Sequence, residues 1–386
     1  MKNLLQVLRK HTMQIVLVLA LLFFTLMTQG KMLSPANMSA LIAQNAYVFI
    51  LATGMLMCML TGGNIDLSVG SAVCLLDVLG GIMMVRVGLP VPVAMLLMLV
   101  CGLIIGSVLG YVIAYLNIPP WIATLAGYLA FRGWGTALLG NATIGGIPDG
   151  FLNLFNGTVP DIFGVEGFNV TCFAAGIIVC LVYTFIEIRT RATKLKKGYE
   201  ADTLTAVVVR CVIICVVVLF YTYKLALSQG IPMNLVWVML VVLIYNFITS
   251  KTTIGRYFYT IGGNVEATRL SGIDTKRIYF LAYLNMQFLT VIAAWMTLAR
   301  QTSAAGSNGT NFEMDAISAC VVGGVSAYGG SGTVFGMVVG ATLIGVINMG
   351  MNLMGIDANW QKVVKGLVLL AAVVFEILNN KDNTKA

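Results

Sequence analysis

The sequence has 386 residues, of which 59% are hydrophobic and only 10% are charged, and its mean hydropathy is +0.92. Soluble domains carry about 25% charged residues, so this composition excludes a soluble enzyme. The net charge of +8 is spread over short connections and the two tails, which indicates membrane orientation rather than nucleic-acid binding. Because apolar runs of about 20 residues select helices over a barrel, we predict an all-α polytopic membrane protein.

Twelve apolar segments follow one another along the chain. Their approximate bounds are 12–30, 41–60, 67–86, 91–116, 121–139, 170–188, 207–228, 232–250, 279–300, 315–328, 333–352 and 359–379. The tenth is short for a hydrocarbon core about 30 Å thick, so we predict that it is broken or re-entrant. The pattern therefore predicts about 10–12 transmembrane helices in a single membrane domain over residues 1–386.

Charge predicts the orientation of these segments. Basic residues cluster in the connections 189–206 and 251–278, whereas 140–169 and 301–313 contain no Lys or Arg. An excess of Lys and Arg near membrane-spanning ends marks the cytoplasmic side. We therefore predict that the first two connections and both termini are cytoplasmic, and that the other two connections lie outside.

The basic connection 251–278 contains a pattern typical of a short helix over residues 265–270. Asn264 is a predicted N-cap and Gly272 a predicted stop. Val265, Leu270 and Ile273 are expected to form a small apolar stripe on this helix. A short helix held on the cytoplasmic side is suited to docking a soluble partner, although local features are equally compatible with an ordinary connection.

Charged residues in or beside the apolar segments are functional hypotheses, because ionisable groups are costly in a membrane. Asp66, with Ser68, follows a Gly-rich turn and is predicted to cap the third segment. Asp315 is likewise expected to cap the tenth segment. Arg132 is expected near the outer surface, with its guanidinium reaching water. Asp77 lies inside an apolar run without an evident partner.

The sequence carries no recognisable catalytic chemistry. It contains no GxxxxGK[ST] phosphate-binding motif, no zinc motif and no Ser-His-Asp arrangement, and its single histidine is His11. We predict that the chain is not an enzyme and binds neither a metal nor a cofactor of its own. An ion-coupled secondary carrier, a channel and a structural scaffold remain alternatives. An ion-coupled carrier requires carboxylates at mid-membrane, and only Asp77 lies well inside a run.

Three stretches that contain polar or Gly-rich motifs, 63–71, 262–273 and 315–366, follow one another along the chain. They read GNIDLSVGS, then GGNVEATRLSGI, and then a longer block with GGVS, GGSG and WQKVVKG. Together they resemble the membrane permease subunits of bacterial ABC importers for monosaccharides of the ribose, xylose and galactose type. The basic connection and hairpin around 189–230 look inserted, as in the xylose or multiple-sugar subgroup. One departure is Asn64, which stands where many relatives have Gly.

The resemblance implies a multi-pass protein of the bacterial inner membrane that imports a monosaccharide, with a pentose favoured. It implies a second permease chain, most simply a homodimer, surrounded by lipid. It also implies a periplasmic sugar-binding protein and a cytoplasmic ABC ATPase that uses ATP and Mg²⁺. No nucleic-acid partner is expected.

The resemblance further implies that the connection 251–278 couples the chain to the ATPase. The residues expected to form this coupling site are Gly263, Asn264, Glu266, Ala267, Thr268, Arg269, Leu270, Ser271 and Gly272. A sugar path needs polar groups that match hydroxyls. The residues suggested for that path are Asn45, Asn64, Asp66, Ser68, Asn348 and Asn352, for which packing or capping is an equally good interpretation.

Overall fold

A computed structural model describes residues 12–140, 142–164, 167–199 and 203–383. Fifteen α-helices and one two-stranded ladder form within these residues. The helices are α1 (Thr12–Met27), α2 (Pro35–Leu60), α3 (Val69–Gly81), α4 (Val91–Ala114), α5 (Pro120–Leu139), α6 (Asp149–Asn156), α7 (Val170–Lys196), α8 (Leu204–Ala226), α9 (Met233–Lys251), α10 (Thr253–Gly263), α11 (Val265–Leu270), α12 (Thr275–Gln301), α13 (Phe312–Val322), α14 (Val334–Leu353) and α15 (Ala358–Asn383). The strands are β1 (Ile144–Gly145) and β2 (Ser303–Ala304).

Each of the twelve predicted apolar segments coincides with a helix. Eight of the described helical stretches are long and apolar enough to cross a membrane, with α3 counted through its π-helical extension Ile82–Arg86. The all-α polytopic fold is therefore confirmed. The tenth segment corresponds to α13, whose 11 residues reach only about 16 Å at 1.5 Å per residue. This helix is too short to cross the membrane alone.

The helices extend further into the predicted connections than the apolar runs do. In the segment 189–206, predicted as a basic loop, most of the described residues are helical, because α7 continues to Lys196 and α8 begins at Leu204. The physical reason is that Arg, Lys and Ala are strong helix formers, so a helix continues past the end of its apolar run. The connection 251–278 likewise contains α10, α11 and the first turn of α12.

The centre of the bundle is built on α2 and α12, which pack against each other, and α12 also packs against α3. Helix α4 lies along α12 through three glycines at four-residue spacing, Gly102, Gly106 and Gly110. A Cβ at Gly106 would lie 3.0 Å from the Cα of Leu284, and a Cβ at Gly110 would lie 2.9 Å from the carbonyl oxygen of Phe280. These glycines therefore allow the two helices to pack closely. By contrast, α7 and α8 pack mainly on each other and leave most of their apolar surface exposed in the isolated chain.

The two connections that the charge pattern places outside contact each other. Strand β1 pairs with β2 in an antiparallel ladder that joins Ile144 to Ala304. Helix α6, which the sequence pattern did not predict, places Phe151 and Phe155 in the core beside α12. The segments 140–169 and 301–313 therefore lie at one end of the bundle.

Arg132 is half-buried and lies beside the connection that the charge pattern places outside. Its Nη1 donates to the carbonyl oxygens of Gly306 and Asn308, at 2.8 and 2.7 Å. The Asn308 side chain in turn donates to Oδ2 of Asp77 at 2.9 Å, so Asp77 has a partner after all. The physical reason is that the connection before α13 folds back among α3 and α5, where buried carbonyl and carboxylate oxygens require donors.

Asp315 does not cap α13 as predicted, because it lies inside this helix and forms an ion pair. Lys365 Nζ of α15 lies 2.8 Å from Oδ1 of Asp315 and donates to Oδ2 at 3.0 Å. The hydroxyl of Tyr47 in α2 also donates to Oδ2, at 2.6 Å. Asp315 therefore joins three helices in the buried part of the bundle.

Candidate functional site

Helix α11 forms where the sequence predicted it, with both predicted end signals. The side-chain oxygen of Asn264 accepts a hydrogen bond from the backbone N–H of Ala267 at 2.9 Å. At the other end the chain leaves the helix through Gly272 at φ +82°, a conformation that glycine adopts without strain. The helix is therefore fixed at each end by its own sequence.

One side of α11 faces the protein and the other faces solvent. Thr268 is buried, and Val265 and Ile273 are half-buried against the core, whereas Ala267 is exposed. Leu270 is 85% exposed. The predicted apolar stripe is therefore wrong, because residues five apart on an α-helix are separated by about 140° around its axis. Leu270 instead presents an isolated apolar side chain to solvent.

The three polar stretches that stood out in the sequence meet directly behind α11. Gly62 and Gly63 lie against Ala327 and Gly329, so closely that a Cβ on Gly63 would collide with the backbone. The backbone N–H of Gly330 donates to the carbonyl of Leu60, the last residue of α2, at 3.1 Å. The links that precede α3 and α14 are therefore in backbone contact with each other.

Helix α10 connects α11 to this junction. Gly262, near the end of α10, packs against the backbone of Leu60 and Gly330, and no space remains for a side chain. The Tyr259 hydroxyl donates to the carbonyl of Gly332 at 2.9 Å. A displacement of α11 would therefore act on the end of α2 and on the link before α14 without intervening flexible side chains.

Two adjacent glycines test the tightness of this junction. Gly262→Ala is expected to lower the free energy of unfolding by about 1–3 kcal/mol, because the added methyl collides with two backbones. Gly263→Ala is the matched control, since a Cβ there meets nothing within 4 Å, and its effect should stay within about 0.5 kcal/mol. Thermal unfolding of both variants in the same detergent makes the comparison, and equal stability would contradict the tight junction.

Asp66 and Ser68, two of the residues suggested for a sugar path, form a buried polar cluster at the start of α3. The backbone N–H and hydroxyl of Ser68 donate to Oδ1 of Asp66 at 2.8 and 2.6 Å. Gln287 of α12 donates to Oδ2 at 2.9 Å. The sequence analysis missed Gln287, although an amide inside the apolar run 279–300 was a usable signal.

The other residues suggested for the path lie elsewhere. Asn348 donates to Asn45 at 3.4 Å in a buried pair between α14 and α2. Asn352 is exposed and accepts a hydrogen bond from Gln361 at 2.8 Å. Asn64 is half-buried and donates to the carbonyl of Thr61 at 3.1 Å. The structure therefore does not bring the six residues into one site.

A cavity of about 510 Å³ lies beside α11. Val265 and Glu266 line it from α11, Asn117 and Pro119 line it from the connection between α4 and α5, and Asn64 also contributes. Among the described residues, no group of three or more His, Cys, Asp or Glu side chains is arranged to hold a metal ion. The cavity is thus a space between α11 and the connection after α4 that both polar and apolar side chains line.

Comparison with known proteins places these features among transport permeases. Residues 37–373 match the family described as the permease component of the branched-chain amino acid transport system. The chain is 34% identical to the xylose transport system permease protein of Haemophilus influenzae over 97% of both chains. It is 35% identical to the corresponding protein of Escherichia coli K12, over 92% of this chain and 88% of that protein. It is also 31% identical to the ribose import permease protein of Escherichia coli K12, over 88% and 85% of the two chains. No solved structure matches the chain.

Proposed function

Because the chain belongs to this family of transport-system permease components, we propose that it is the membrane-spanning subunit of an ATP-driven importer that carries a monosaccharide into the cell. A pentose is the favoured substrate, since the relatives described above are named for xylose and ribose. The chain is a multi-pass protein of the inner membrane. It acts as a permease component rather than as a catalytic subunit.

The observation that supports the proposal best is helix α11. This helix is capped at both ends and exposed to solvent, and α10 joins it to the closely packed links behind it. We assign the docking of a cytoplasmic ABC ATPase to this helix and its flanking residues, 263–272. When the ATPase moves α11, the close contact of Gly262 with Leu60 and Gly330 passes the movement to α2 and to the link before α14. The partner ATPase binds ATP with Mg²⁺ and hydrolyses it, since the sequence of this chain has no phosphate-binding motif.

The remaining partners in the proposal are a second copy of the permease chain and a periplasmic sugar-binding protein. The two copies would enclose the sugar path between them, and the binding protein would deliver the sugar to the end of the bundle that carries the paired segments 140–169 and 301–313. Asp66 and Ser68 are proposed as polar groups on the path, and in this structure both are buried within one chain. Asn45, Asn64, Asn348 and Asn352 are secondary proposals.

Reconstituted transport tests the proposed function. The chain is placed in lipid vesicles with its ATPase, with ATP and Mg²⁺ enclosed, and the binding protein and labelled xylose are added outside. We expect xylose to accumulate only when ATP is present. This accumulation should persist when ionophores dissipate the ion gradients. Accumulation driven by an imposed ion gradient in vesicles of the chain alone would instead identify a secondary carrier.

A further inference from the structure

We propose that the ATPase contacts the chain at a second element, the connection between α4 and α5, across the cavity that separates this connection from α11. The inference rests on the proposed function and deepens it. It replaces a docking site on one helix by a two-sided surface, with α11 on one side and residues 117–119 on the other.

The cavity between the two elements has room for partner side chains. Its volume is about 510 Å³, whereas one water molecule occupies about 30 Å³ of the liquid. Val265, Glu266 and Arg269 line it from α11, and Asn117 and Pro119 line it from the opposite element. A partner that covers the exposed side chains of Glu266 and Arg269 therefore also approaches the connection.

The opposite element is suited to resist movement. Asn117 adopts a left-handed conformation at φ +57°, which few residues other than Gly, Asn and Asp adopt readily. Pro119 and Pro120 follow, and each proline ring fixes its backbone φ angle. Asn117 and Pro119 are both exposed. The connection is thus rigid and accessible. A partner that moves α11 can therefore contact the connection as a fixed support.

The charge of the cavity favours a protein surface over a free ion. Glu266 and Asp274 contribute two acidic groups to the lining, and Arg269 and Lys276 contribute two basic groups. These charges balance, so the lining selects neither an anion nor a cation. Alternating charges around the apolar side chains of Val265 and Ile273 are complementary to a protein surface with charges of both signs.

A photo-crosslinking side chain in the living cell tests this surface. It is introduced separately at Leu270, at Pro119 and at Tyr199, which is 65% exposed beside the basic end of α7. Position 119 tolerates replacement, because the following Pro120 keeps the preceding residue in the extended conformation that Pro119 already has. Asn117 serves as a second position on the same element. The captured protein is identified by mass spectrometry.

We expect Leu270 and Pro119 to capture the same ABC ATPase, recognised by its phosphate-binding motif, and Tyr199 not to capture it. Capture from Leu270 without capture from either Pro119 or Asn117 would overturn the two-sided surface and leave the proposed function intact. If none of the positions captures an ABC ATPase, both the docking site and the inference are wrong. Capture from Pro119 of only lipid or an unrelated protein also overturns the inference.

Replacing Pro119 by a larger side chain tests the same surface independently, through xylose uptake. Pro119→Trp is expected to lower xylose uptake by about tenfold or more, the change that corresponds to about 1.4 kcal/mol of lost binding. Leu116→Trp is the matched control, since Leu116 is 55% exposed in the same connection but does not line the cavity. Equal uptake by the two variants, at equal amounts in the membrane, would contradict the inference.

Discussion

Replacing Lys365 by Met is expected to lower the free energy of unfolding by about 3–5 kcal/mol, because it leaves a buried carboxylate without its cation. Asp315 is only 2% exposed, and Lys365 Nζ lies 2.8 and 3.0 Å from its two carboxylate oxygens. The hydrogen bond from Tyr47 would remain, but a neutral hydroxyl does not balance the charge. Thermal unfolding in detergent measures the loss.

Two further variants separate the ion pair from other causes. The double variant Asp315→Asn with Lys365→Met is expected to recover most of the lost stability, since neither charge is then buried. Arg269→Met is the exposed control, because Arg269 and Glu266 are 3.7 Å apart with side chains 68% and 71% exposed, and such pairs contribute about 0–1 kcal/mol. A double variant as unstable as Lys365→Met alone would show that the pair is not the cause.

Ala267→Trp is expected to abolish xylose uptake while the protein still folds and inserts. Ala267 is exposed at the centre of α11, so a large side chain there costs the chain itself less than about 0.5 kcal/mol. Inserted into a closely packed interface, the same side chain should cost about 2 kcal/mol of binding, as extra bulk does in a well-packed core. Uptake should therefore fall by more than about tenfold.

The measurement is uptake of labelled xylose by cells that contain equal amounts of each variant in the membrane. Tyr199→Trp is the control, since it adds bulk to the other connection that the charge pattern places in the cytoplasm. Normal uptake by the Ala267→Trp protein would contradict the assignment of α11 as the ATPase docking site. A protein that no longer reaches the membrane would contradict the exposed position of Ala267.

Features that depend on neighbouring residues could be predicted from the sequence. The helices follow from runs of apolar residues, and α11 follows from an N-cap at Asn264 and a stop at Gly272, both within two residues of the helix ends. The shortness of α13 follows from the length of its run. Asp66 was predicted to cap α3 and lies just before it, but its side chain accepts from Ser68, and no side chain caps the helix that begins at Val69.

Contacts between distant parts of the chain could not be predicted in the same way. Gln287 is 221 residues from Asp66, and Lys365 is 50 residues from Asp315. A single sequence contains no signal that pairs such residues. The partners of Arg132 were missed for the same reason, because they are carbonyl oxygens in a connection 174 and 176 residues away. The cavity beside α11 likewise depends on two segments that only the fold brings together.

The most direct test of the proposed function is ATP hydrolysis by complexes isolated on this chain in mild detergent. We predict that an ABC ATPase copurifies and hydrolyses ATP in a vanadate-sensitive manner. We also predict that Gly272→Trp, which forces a bulky residue into the left-handed end of α11, removes the ATPase and its activity from the complex. A chain that is isolated alone, and that neither binds nor activates the added ATPase, would contradict the account and favour an ion-coupled carrier.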